Sequence, residues 1–188
     1  MISAVKFADC ALLPKWDRFN YDQLDCQAFV EEVLKDIGIR KQDGSAYNWR
    51  GSNSMYRNYY QWRGSIESAV QKFGAVPVGA FVYIRKDTGA EEVGYIDGLG
   101  NFNHVGIYCG NNIVRDSTRS IKTKRNGVGS RPLSDFNYMS LFAGLDYSGN
   151  ASYNDTETGI IESINKIREE LKRMEETYYD IIGSKRTN

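Results

Sequence analysis

Apolar residues recur at helical spacing near the start of the chain. Val5, Phe7, Ala8, Leu12 and Leu13 predict an N-terminal helix over about 3–13, after which Pro14 leads into a loop. Phe29, Val30, Val33, Leu34 and Ile37 then follow Cys26 with the same period, and Gly38 ends the run, so a second helix is expected over about 25–37. Ser65 to Phe73 reads as a short helix with Ile66, Ala69, Val70 and Phe73 inward. Beyond it the period changes. Strands are expected over about 80–85, 93–97, 102–109 and 113–117, with a last one near 140–145. Glycines at 89, 94, 98, 100 and 110 punctuate them as hairpins. The sum is an α+β fold with helices packed on one face of an antiparallel sheet.

Two stretches stand apart. Between 41 and 65, Tyr47, Trp49, Tyr56, Tyr59, Tyr60 and Trp62 alternate with Arg50, Arg57 and Arg63. They read either as a cleft wall gripping carboxylates or glycan, or as a helix packing its aromatics on the sheet. From 148 to 158 the chain is a polar linker. After it, Ile160, Ile164, Ile167, Leu171, Met174, Tyr178 and Ile181 are spaced 4, 3, 4, 3, 4 and 3, a coiled-coil-type stripe. The expected organisation is a domain over 1–147, the linker, and a heptad helix over 159–183 that oligomerises or docks.

Composition narrows the function classes. Lysine plus arginine equals aspartate plus glutamate, at 24 each in 188 residues, so no overall field draws the chain to nucleic acid or a membrane surface. The apolar runs are far short of a membrane span. Lys6 and Asp9 interrupt the start, so no signal peptide is expected. Three dispersed cysteines and one histidine make neither a disulfide framework nor a zinc ligand set, and no cofactor is implied. Cys10 and Cys109 read as small buried hydrophobes.

Cys26 and the sole histidine, His104, are different. Cys26 opens a helix, where the dipole and unpaired N–H groups favour a thiolate and can hold an oxyanion. His104 begins the strand-like run His-Val-Gly-Ile-Tyr-Cys, which sets it on a sheet facing that helix start. An imidazole that takes the thiol proton and returns it to a leaving amine is what a thiolate hydrolase needs.

In this order Asp25-Cys26-Gln27-Ala28-Phe29-Val30, Pro77-Val78-Gly79-Ala80-Phe81-Val82 and His104-Val105-Gly106-Ile107-Tyr108 resemble the NlpC/P60 family of papain-like cell-wall cysteine peptidases. Gly127-Val128, then Leu133 and Phe136, echo the region where family members close the sheet. Gln27-Ala28 stands where the family has Ser-Gly, and Ala80 where it has aspartate. The resemblance implies catalysis by Cys26 as nucleophile, His104 as general base and then acid, and a polar residue one strand on. His104 and Asp116 both lie six positions from Gly110, so a turn centred there puts them opposite each other and makes Asp116 the orienting residue. Arg115 is the rival, but alternation sends it to the other face. Substrate contacts are implied at Asp25 and Gln27, and at a tyrosine-like position that either Trp16 or Tyr21 fills. The implied activity is a peptidoglycan endopeptidase cutting a D-glutamyl–diamino acid bond in the stem peptide. Such an enzyme would be made in the cytoplasm and act at the bacterial wall, as a phage lysin or virion component. The alternatives are a non-catalytic wall-binding assembly protein and a CHAP-like N-acetylmuramoyl-L-alanine amidase.

Overall fold

Ser3 ends a short strand, β1 (Ile2–Ser3), and its hydroxyl accepts the Val5 N–H at 3.2 Å to open helix α1 (Ala4–Ala11). Phe7, Ala8 and Ala11 are buried, while Leu12 and Leu13 just past the helix are exposed. Helix α2 (Cys26–Asp36) buries Phe29, Val30, Val33 and Leu34 along one face. Gly38 ends it at φ +84°, with Ile39 N–H on Leu34 C=O at 2.9 Å and Gly38 N–H on Lys35 C=O at 3.1 Å. That pair of bonds is a Schellman motif, and the left-handed residue it needs is a glycine.

The computed structural model describes residues 1–86, 94–121 and 124–149. The chain divides after Asn150 into two units, of which the first is described here. The expected linker from residue 150 onward and the heptad stretch Ile160–Ile181 lie outside the described residues.

The aromatic stretch forms helix α3 (Gly51–Arg57) and strand β2 (Tyr60–Ser65), and Ser65 caps helix α4 (Ile66–Phe73). The remaining strands are β3 (Phe81–Lys86), β4 (Asn101–Tyr108), β5 (Ile113–Ser120), β6 (Arg125–Pro132) and β7 (Tyr138–Phe142). They and β2 make one antiparallel sheet in the order β2-β7-β3-β4-β5-β6. A short β8 (Leu145–Asp146) pairs parallel with β1. The architecture is α+β.

Alternation along the strands divides the core. Phe81, Tyr83, Phe102, Val105 and Ile107 pack with Phe7, Phe29 and Val33 on the face covered by α1, α2 and α3. Val82, Tyr108, Val114, Met139 and Leu141 pack with Phe136 and with Ala69 of α4. Helices therefore cover both faces of the sheet, not the single face expected. Within α4, Ala69 is fully buried but Val70 is 45% exposed, so the expected inward position of Val70 is corrected.

The aromatic stretch divides between core and surface, with Tyr59 and Tyr60 exposed. Tyr56 is buried and stacks on Phe102 with centroids 3.7 Å apart, and Trp49 is buried against Phe81 and Phe142. Arg57 forms a two-pronged pair with Asp97 at 2.8 and 2.7 Å. That pair also explains why no strand forms over residues 94–97. Gly94 and Gly98 have positive φ, Asp97 is turned toward Arg57 and the Leu99 N–H, and Ile96 is left exposed.

Candidate active site

The start of α2 is anchored on three sides. Asp25 caps the helix by accepting the Ala28 N–H at 2.8 Å, so Cys26 is its first helical residue. One step back, the Leu24 carbonyl accepts a bond from the buried Ser117 hydroxyl of β5. One step forward, the Gln27 amide donates to Glu31 at 2.8 Å and to the Trp49 carbonyl at 2.7 Å, and accepts the Gly51 N–H. Both amide donors of Gln27 are thus engaged with the protein. Its side chain ties α2 to the Trp49–Gly51 segment. Asp25 is likewise a helix cap. The leading N–H groups of α2 have no acceptor inside the helix, by the geometry of any helix start.

His104 comes from β4 on the face opposite Val105 and Ile107. Its ring hydrogen-bonds the Asp116 carboxylate through Nε2 at 2.6 Å and lies near enough to Cys26 for the sulfur to act on its charge. With Nε2 committed to Asp116, Nδ1 is the nitrogen left for sulfur. Burial by itself works against a charged imidazole, yet the bond to Asp116 and the nearby Cys26 sulfur outweigh it and raise the His104 pKa from 6.5 to about 9. The ring also stacks on Phe136, with centroids 6.0 Å apart. Cys26 and His104 each keep 8% exposure, whereas Asp116 has none.

Asp116 reaches His104 diagonally, not from directly opposite. The β4–β5 ladder pairs Ile107 with Arg115 and Tyr108 with Val114, so Asp116 falls beside Gly106, two residues along from His104 on the same face. The expected register, with the turn centred on Gly110, is corrected. Here the turn is closed by the Ile113 N–H on the Gly110 carbonyl at 2.8 Å, and Asn111 and Asn112 both have positive φ. Gly106 makes the diagonal possible. A Cβ there would stand 2.6 Å from Val114 Cγ1, 3.1 Å from the Arg115 carbonyl oxygen and 3.1 Å from Asp116 Cβ.

A buried carboxylate needs more than one partner, and Asp116 has three. Besides His104, Arg125 of β6 binds its Oδ1 and Arg131 of β6 approaches its Oδ2 at 3.4 Å. Gly129 lies opposite Asp116, and the alternation Arg125-x-Gly127-x-Gly129-x-Arg131 puts both guanidinium groups on its face with no side chain between them. A Cβ at Gly129 would meet the Arg125 side chain at 2.8 Å. Arg115 points the other way, to the Ala11 carbonyl at 3.2 Å and to Asp17, and so takes no part.

The two aromatics of the loop before α2 lie in different surroundings. The Tyr21 hydroxyl lies close to Cys26 and is pushed up to about 12 by burial first and then by the charges of Cys26 and Asp25. Trp16 is a core residue, with Nε1 on the Cys10 carbonyl at 2.8 Å and its ring edge-on to Phe29, so it does not line the site. The loop is seated by β6. Tyr21 N–H bonds Asn126, and Gly127 at φ +127° lets the Phe19 carbonyl approach where a Cβ would stand 2.1 Å away. Ser117, Gly106, Arg125 and Arg131 were not identified from the sequence. The Arg-x-Gly-x-Gly-x-Arg spacing was the one available signal for the last two.

The other thiols sit in different surroundings. Burial, then a bond to Asp36 at 3.2 Å, raises Cys10 to about 11, and burial raises Cys109, packed toward the Ala8 carbonyl, to about 12. Among the described residues no group of three or more His, Cys, Asp or Glu is arranged to hold a metal ion, and no helix is long and apolar enough to cross a membrane. No family model, no curated protein and no solved structure matches the chain.

Proposed function

We propose that the chain is a cysteine peptidase of the NlpC/P60 kind, acting on peptide bonds of bacterial peptidoglycan. The observation that carries this reading is the Cys26 thiol at a helix start, close enough to His104 to raise the ring's pKa, with His104 in turn bonded to the fully buried Asp116 carboxylate. In this reading His104 takes the thiol proton, and Cys26 sulfur attacks the scissile carbonyl. The Cys26 N–H, at the positive end of α2, faces the developing oxyanion. His104 then protonates the leaving amine, and a water activated by the same ring releases the acyl group. Asp116 keeps the ring in one tautomer and supports its charge throughout, and the Tyr21 hydroxyl borders the sulfur on the substrate side.

The resemblance narrows the bond to an amide of the stem peptide, of the D-glutamyl–diamino acid type, in a phage lysin or virion component. The heptad stripe Ile160–Ile181 fits self-association of such an enzyme. Purified chain is expected to clear a suspension of cell walls, Cys26→Ala is expected to leave it turbid, and mass spectrometry of the released fragments identifies the new termini. Equal clearing by the Cys26→Ala protein overturns the reading, as does wild-type protein that cuts no wall type.

A further inference from the structure

Beyond Asp116, strands β5 and β6 and the turn at Leu133–Asp135 line a concave region of about 760 Å³. Four cations border it: Arg119, Lys124, Arg125 and Arg131, with the Thr118 hydroxyl among them. Against them stand two carboxylates, Asp135 paired to Arg131 at 2.8 Å and Asp116 at the back, while Arg119 holds Asp22 in an exposed pair that water and salt weaken. Lys124 has no ion pair among the described residues, and the buried Nε–H of Arg125 has no acceptor. A chain with no net charge has therefore gathered a local positive excess in one concavity, with guanidinium forks shaped for paired oxygens.

We infer that this cleft binds a divalent oxyanion, of the phosphate or dicarboxylate class. Arg131, Lys124 and Thr118 on one concavity offer several donors to the acceptor oxygens of such a group, and the local charge there is positive. The site shares Arg125 and Arg131 with Asp116 but contains neither Cys26 nor His104, so binding rests on the cleft and not on the hydrolase reading.

The test is calorimetric titration of the full chain with inorganic phosphate and, separately, with succinate, at ionic strength held constant with sodium chloride. Saturable binding of either ion is expected, and the tighter of the two names the ligand class. Lys124 is exposed, so its replacement does not threaten folding. Lys124→Gln should weaken binding about threefold to tenfold and Lys124→Glu further still. If both ions behave as chloride does, or if Lys124→Glu binds as tightly as wild type, the inference fails. Neither result touches wall hydrolysis, which is measured without these ions.

Discussion

His104 holds a proton in a place where burial alone would remove it. Its folded pKa of about 9 lies above the ordinary 6.5, so the pairing stabilises the protein fully below pH 6.5 and that contribution is lost as pH rises through about 9. Urea midpoints measured from pH 6 to 10 are expected to fall across that window by up to a few kcal/mol of stability. In Asp116→Asn, which removes the charge that supports the imidazolium, the slope should flatten and hydrolysis should drop by about a hundredfold or more. A wild-type stability curve that is level between these limits would remove the charged His104 from the account. The thiols give a second residue-scale test. Cys10 and Cys109 are raised to about 11 and about 12 by burial, so at pH 7 both are protonated and poor nucleophiles. Iodoacetamide is expected to label Cys26 first, as read by peptide mapping, and to lose that selectivity in His104→Ala. Uniform labelling of all three would show that His104 does not activate the sulfur.

At the scale of elements, the motif residues were legible because each carries a local signal: a helix period starting at Cys26 and a strand beginning near His104. The third residue was legible in identity but not in register. Chain spacing set the turn at Gly110, whereas two left-handed asparagines moved it and left Asp116 diagonal to the ring. The arginines behind Asp116 were not legible at all. Their strand, β6, carries Gly127 and Gly129, which weaken a strand pattern read from one sequence, and their role exists only once β6 pairs with β5. Gly106 shows how much that pairing geometry matters. Gly106→Ala would press β5 away by crowding Val114 and Asp116, at a cost of roughly 1–3 kcal/mol from overpacking. Because the crowded atoms are those that aim the carboxylate, activity measured where the variant is fully folded should fall by about tenfold or more. A variant that loses stability but keeps full activity would mean the diagonal contact does not orient the ring.

Taken as a whole, the first unit buries both faces of a six-stranded sheet and sets Cys26 and His104 where α2 meets β4 and β5. Its fold class was legible because alternation and helical period survive in single segments; the second covered face was not, since only pairing shows that β2 and β7 extend the sheet beside α4. For the remainder of the chain the sequence supplies the argument. Seven apolar positions at 4-3 spacing form a narrow stripe among Glu169, Glu170, Lys172, Arg173, Glu175 and Glu176. Read as the expected helix, which at that length is marginal alone in water, the stripe calls for a partner surface. The polar composition from Ser148 to Thr158 is that of a linker, and on the expectation of a heptad helix the partner proposed is a second copy of the chain. Replacing Ile164 and Leu171 together with glutamate places charges in the seam of any such assembly. Sedimentation at tens of micromolar protein is then expected to show an oligomer for the wild type and a monomer for the double variant, with the thiol labelling of Cys26 unchanged. A wild-type chain that sediments as a monomer would instead assign the stripe to its own first unit or to a different protein.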